Sequence, residues 1–239
     1  MKPLAGLSRQ ELIERINELE EKLRKCRSDG ESSGARASSL FEFSEKGLRL
    51  KLYRLLLKKY AGIINEKEKR TIGEVKGLVN GDDLTIQSIV SEFKDPNYVP
   101  ERGFFKAAKK AFEFVKREIH FVKADIDLDF FLSPLEIMTE KVADDQDQAV
   151  FLCSLFSALG HEGASVVIAE MDDLKTHAFV ILDYNGKAFF LDPTQDHGFE
   201  DFSGETAQVL KNYSYRGVKI RRLLYKFNNY EYRSFIEEE

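Results

Sequence analysis

The chain has no tryptophan, two cysteines and five prolines, and no apolar run approaches the roughly 20 residues that a membrane-spanning helix needs. Each shortage excludes something. Cys26 and Cys153 are too few for a disulfide framework or a zinc motif. The opening MKPLAGLSRQE has no apolar h-region, so a secretory signal is not expected. A net charge of −5 gives no bulk attraction to nucleic acid. No cofactor motif occurs, so no cofactor is expected. These absences point to a soluble, cytoplasmic protein with neither a membrane nor a nucleic-acid partner. What is present is a length of 239 residues, 43% of them hydrophobic and 19 of them Phe. That suffices for one sizeable globular domain with an appendage.

The appendage reads from the first residues. Ser8 and Glu11 form a capping box ahead of LIERINELEEKLRKC. Leu12, Ile16, Leu19, Leu23 and Cys26 alternate spacings of four and three, a heptad seam about two heptads long. Glu11/Arg15, Glu18/Lys22, Glu20/Arg24 and Glu21/Lys25 are acid-first i,i+4 pairs. Residues 1–26 are thus expected to form an amphipathic, coiled-coil-like helix. It either self-associates through residues 8–26, meets a partner helix, or stands alone as a charged helix. Residues 27–39, RSDGESSGARASS, have the composition of a flexible linker. The folded domain is expected over 40–239, with a helical part at 40–122 and a core at 123–239.

Within 45–61, Leu48, Leu52, Leu55 and Leu56 share one helical face. A helix through IGEVKGLV should stop at Asn80-Gly81, and Asp82 or Asp83 should cap LTIQSIVSEFK. DPNYVPERG reads as a loop before a helix over 104–122, where Phe105, Ala108, Phe112, Val115 and Ile119 share a face. The second half changes character. A helix over 145–160 precedes β-branched apolar runs at 164–171, 177–184, 187–194 and 217–227, with a tight hairpin at Asn185-Gly186. One helix followed by an antiparallel sheet defines an α+β domain.

The candidate site residues are Asp145 at a helix start, His177 at a strand start and Asp192 near the end of the next strand. A two-residue loop at Asn185-Gly186 sets His177 opposite Thr194, with Asp192 as a diagonal neighbour on the same face. An aspartate beside an imidazole fixes its tautomer and stabilises its cation. Asp144, Asp145, Asp147, His177 and Asp192 could alternatively hold a divalent metal with a hydrolytic water. Cys153 lies in FLCSLF and reads as a small buried hydrophobe. His120 is expected to end a helix, His161 to follow a cap at Gly160, and His197 to lie in a loop.

Three stretches, ADDQDQAVFLCSLFSALG, THAFVILDY and FFLDPTQ, occur in an order that resembles the transglutaminase-like superfamily of papain-like thiol enzymes. LSPLEIM at 132–138 resembles the lead-in of its bacterial and archaeal members. The resemblance covers roughly residues 100 to 196. It implies a core in which a nucleophile-bearing helix packs on an antiparallel sheet, with a Cys nucleophile, a His base and an Asp orienter that act on amide bonds. His177 matches the family His and Asp192 the family Asp; Asp147 and Ala149 match the pattern just after the nucleophile. The position of the Cys is occupied by Asp145. A helix N-terminus activates a thiol by stabilising its thiolate, but the same field stabilises a carboxylate and leaves it less reactive. The expectation is a static acid–base–acid group with the pKa of His177 raised. The resemblance then implies a catalytically inactive domain that binds a protein or peptide partner or serves as a scaffold. The alternatives are a thiol peptidase, transglutaminase-type amide hydrolase or acyl transferase whose Cys has been replaced at Asp145, or a metal-assisted hydrolase using the acidic cluster.

Overall fold

A computed structural model describes residues 47–52, 55, 70–123 and 131–235 of the chain. The expected helix at 1–26 and linker at 27–39 lie outside these residues, as does Leu56. The chain divides into two units, residues 1–69 with 122–130, and residues 70–121 with 131–239. In the first, 47–52 are helical, and Leu50 is buried along with the expected Leu48 and Leu52. The second unit carries the sheet and the candidate site.

The second unit begins with three helices. α1, Ile72–Gly77, opens on a capping box between Thr71 and Glu74. α2, Leu84–Phe93, is capped by Asp83, whose carboxylate accepts from the amides of Thr85 and Ile86. Between them Gly81 passes so close to the next layer that a Cβ there would stand 2.8 Å from Ser157 Oγ. α3, Pro100–Glu118, starts four residues before its expected position. The reason is Pro100, whose fixed φ suits the first helical position, so VPERG is a helix start rather than a loop. α3 buries Phe104, Ala107, Ala108, Ala111, Phe112 and Val115. Phe105 lies off this face and stacks on Tyr184 instead.

α3 ends sooner than expected because Ile119 is extended. His120 therefore does not end a helix. It begins β1, His120–Phe121, which pairs in parallel with β2, Val142–Ala143. Between β1 and β2 lies α4, Pro134–Glu140, with a capping box from Ser133 to Glu136 and a left-handed residue, Lys141, at its end. α5, Asp145–Ala158, follows directly, and every residue from Asp147 to Phe156 is buried. A helix buried on every side belongs in the middle of a domain. α5 packs on the sheet on one side and on α2 and α3 on the other.

The sheet contains β3 Ala164–Met171, β4 Thr176–Tyr184, β5 Lys187–Leu191, β6 Ser203–Gly204, β7 Ser214–Tyr215 and β8 Val218–Phe227, in the order β6-β5-β4-β3-β8-β7. β9, Tyr232–Ser234, also pairs with β8. The β4–β5 turn is the expected two-residue one, with Asn185 and Gly186 both at positive φ. The strand expected over 187–194 stops at Leu191. Pro193 has no N–H to offer a ladder, and Asp192 turns its carboxylate back to the amide of Thr194. On one sheet face Val167, Ala169, Phe179 and Phe190 pack with Val209 of α6, Thr206–Asn212, and with Tyr213. The fold is α+β, a helix opening at Asp145 laid on an antiparallel sheet. No helix among the described residues is long and apolar enough to cross a membrane.

Candidate functional site

Three elements converge on one imidazole. β4 supplies His177 in its second position, α5 supplies Asp145 in its first, and the turn leaving β5 supplies Asp192. The register is the one read from the hairpin: Val180 faces Leu191 and Tyr184 faces Lys187, a sum that sets 177 against 194. Ladder pairing stops at Val180, yet Asp192 reaches the ring. His177 Nε2 lies 2.9 Å from Asp192 Oδ2, and His177 Nδ1 lies 2.8 Å from Asp145 Oδ2. A ring flanked on both nitrogens by carboxylates donates from both, so it is an imidazolium.

The energetics agree with that geometry. His177 is 2% exposed. Burial lowers its pKa, but the hydrogen bonds and charges of Asp145 and Asp192 outweigh it and lift the pKa to about 9. Burial works equally against the Asp192 carboxylate, and its donors win there too, holding it at about 2. Those donors are numerous. Asp192 Oδ2 accepts from His177, from Gln195 Nε2 at 2.7 Å and from the Tyr213 hydroxyl at 2.7 Å. Oδ1 accepts from the Thr194 amide and hydroxyl. Asp145 is tied to the sheet as well, because its Oδ2 accepts from the Ala178 amide at 2.9 Å.

One face of the imidazole is covered. Tyr215, on β7, stacks on it with ring centroids 3.8 Å apart. The β7–β8 turn that follows has Arg216 and Gly217 both at positive φ. Gln195 pins this turn, its Oε1 accepting from the Arg216 amide. Tyr213, Tyr215 and Gln195 were not legible as site residues in the sequence. Gln195 closes the FFLDPTQ motif, a weak signal. Tyr213 directly follows a short helix and Tyr215 sits on a short strand, with no apolar period to announce either.

The other acids do not join the histidine. Asp144 caps α5 by accepting from the Asp147 amide, and burial beside Asp147 and Asp145 raises its pKa well above the usual range. Asp147 turns away and accepts from the Leu132 amide at 2.8 Å. Both nitrogens of His177 are already engaged by carboxylates, which leaves it no lone pair for a cation. Among the described residues no group of three or more His, Cys, Asp or Glu is arranged to hold a metal ion. His161 stacks on Phe104 and donates to the Asp183 carbonyl, while His197 stacks on Phe112.

Cys153 is buried inside α5, and burial pushes its thiol up to about 12. It is expected to resist iodoacetamide in the native protein at pH 8 and to react once the chain is unfolded in denaturant. Peptide mass spectrometry reads both states; native labelling of Cys153 would contradict its burial.

A central helix whose first turn meets a strand-borne histidine, with an aspartate at the exit of the neighbouring strand, makes this an α+β core with its candidate site where helix and sheet meet. No protein-family model matches the sequence, and no curated protein matches it. Solved structures do. Calcium-bound LapG of Legionella pneumophila is similar at 13% identity and a TM-score of 0.44, over 77% of this chain and 90% of that one. The EGTA-treated form of the same protein is similar at 13% identity and 0.42, over 64% and 86%. A proposed cysteine protease from Cytophaga hutchinsonii is similar at 12% identity and 0.35, over 64% and 52%.

Proposed function

We propose that the chain is a transglutaminase-like domain without a nucleophile, which binds a protein or peptide and does not cleave it. One observation carries this reading: the imidazole that would serve as base has a carboxylate against each ring nitrogen, Asp145 at Nδ1 and Asp192 at Nε2. A base must be able to take a proton, and an imidazolium with a pKa of about 9 cannot do so at neutral pH. Asp145 stands where the group such a base would activate is expected, and a carboxylate is a far weaker nucleophile toward an amide than a thiolate. The only thiol among the described residues, Cys153, is buried in the same helix.

Asp145→Cys tests the reading. Its thiol would stand at the start of α5 beside His177 Nδ1, where an imidazolium favours the thiolate. Alkylation by iodoacetamide should then proceed well below the pH of ~8.5 at which an ordinary thiol ionises. The unaltered protein should release no product from fluorogenic peptides and form no adduct between a glutamine peptide and a primary amine. Turnover by the unaltered protein that disappears in His177→Gln would overturn the proposal. So would an ordinary titration of the introduced thiol, because the ion pair would then not be poised as described.

A further inference from the structure

We propose that Gln195 is a positioning residue, whose carboxamide latches the β7–β8 turn to Asp192 and thereby holds the Tyr215 ring against His177. The placement starts in the sequence DPTQ, residues 192–195. Pro193 presets φ for the second position of a β-turn, and the Gln195 amide closes that turn on the Asp192 carbonyl at 3.3 Å. The chain so folded returns the Gln195 side chain to the carboxylate that opens the turn. Its Nε2 donates to Asp192 Oδ2 at 2.7 Å, and its Oε1 accepts from the Arg216 amide at 3.1 Å. One side chain thus joins the histidine's own acid to the turn beside its aromatic cover. The two partners dictate its chemistry. An ionised Asp192 only accepts and a backbone N–H only donates, so the bridge needs a donor and an acceptor together. Glutamate would set one carboxylate against another, and lysine would leave the Arg216 amide without its acceptor.

The turn itself calls for a latch. β7 is short, and its ladder with β8 consists of Ser214↔Lys219 and Tyr215↔Val218. In the two-residue loop that follows, Arg216 stands at φ 50, in the left-handed region that a non-glycine residue rarely adopts. Such a conformation persists where its surroundings impose it. Among the described residues, Gln195 is the one side chain that hydrogen-bonds the backbone of this loop. Directly before the bonded amide comes Tyr215, whose ring stacks on the imidazole with 3.8 Å between centroids and 17° between planes. A ring in that place stops the imidazole from turning about its Cβ–Cγ bond. Such a turn would carry the two nitrogens away from Asp145 and Asp192. The rival account is that the ladder and the Tyr213 hydroxyl, which also donates to Asp192, hold the segment unaided.

The inference rests on the reading above only in taking His177 as the centre of the site, and it is tested with Asp145 in place. The full chain labelled with 13C at histidine Cε1 gives four signals, one for each histidine. The signal missing from His177→Gln is that of His177. Spectra are taken at pH 5.5, below the ordinary histidine pKa of about 6.5, so that the charge of the ring does not vary. The ring current of Tyr215 should place the His177 Cε1 proton upfield of its position in Tyr215→Leu. Gln195→Met has a similar length but no donor and only a weak acceptor. It should move the signal most of the way to the Tyr215→Leu position while the other three stay. In the unaltered protein the Arg216 amide should exchange with D2O more slowly than the Gly217 amide beside it, which has no acceptor among the described residues. A His177 signal unmoved by Gln195→Met would assign the hold to the ladder and Tyr213 and overturn the proposal. So would an Arg216 amide that exchanges as fast as that of Gly217, a result that does not depend on any variant folding. Alkylation of Asp145→Cys is read on a separate variant, so an ordinary titration there would count against the reading above and not against the latch.

Discussion

Replacing Asp192 by asparagine is expected to lower the unfolding free energy by about 3–5 kcal/mol, the usual cost of removing one partner from a buried ion pair. The side chain is fully buried and accepts five hydrogen bonds, from His177, Gln195, Tyr213 and twice from Thr194. Asparagine has the same shape but brings two N–H groups of its own. Whichever way its amide turns, these meet at least two donors. The charge opposite the imidazolium is lost as well. The effect should therefore exceed that of losing one neutral hydrogen bond, about 1 kcal/mol. Urea denaturation of the two proteins at pH 6 measures it. A loss no larger than that single bond would mean that the network rearranges around the amide, and the idea of Asp192 as its hub would fail.

The second large effect is on pH. The pKa of His177 rises from its ordinary 6.5 to about 9 on folding, so folding favours its charged form. That stabilisation is complete below pH 6.5 and is lost as pH climbs through about 9. Its size is about 3 kcal/mol at 1.36 kcal/mol for each pKa unit. Asp192 moves the other way, from 3.8 to about 2, so its contribution is present above 3.8 and disappears as pH falls through about 2. The two shifts describe one ion pair from its two ends, and they are not summed. The shift at histidine is the larger because Asp145 acts on it too. Asp144, whose pKa burial raises, titrates in the opposite sense to Asp192. The informative quantity is thus the stability difference between the unaltered protein and His177→Gln, measured at pH 6 and pH 10. It should shrink by about 3 kcal/mol between them. A constant difference would mean that His177 is neutral throughout and would remove the ion pair from the site.

Much of this site was legible because its parts lie on regular elements. The Asn185-Gly186 turn fixed the β4–β5 register, and that register brings 177 and 192 within reach. The acids at the start of α5 announced a helix start, and Asp145 is indeed its first residue. The three largest boundary misreadings fall where one residue's backbone chemistry overrules a pattern. Pro100 began a helix inside an apparent loop, Ile119 ended it by going extended, and Pro193 closed a strand early. Tyr213 and Tyr215 were invisible for another reason. They return to the site from beyond α6, through contacts that no local period encodes.

The hydrogen bond from Ala178 to Asp145 makes position 145 a fastener as well as a charge. It clips the first turn of α5 to β4 across 33 residues of chain. A thiol in that place would accept the amide proton weakly and at longer range, leaving a partly buried donor short of a partner at a cost of about 1–3 kcal/mol. Reactivity and hold are thus in competition at one atom. Exchange of sulfur for carboxylate at 145 runs downhill in stability in one direction only. A lineage that had taken that step would find the way back opposed by the fold itself, much as a ratchet resists reversal.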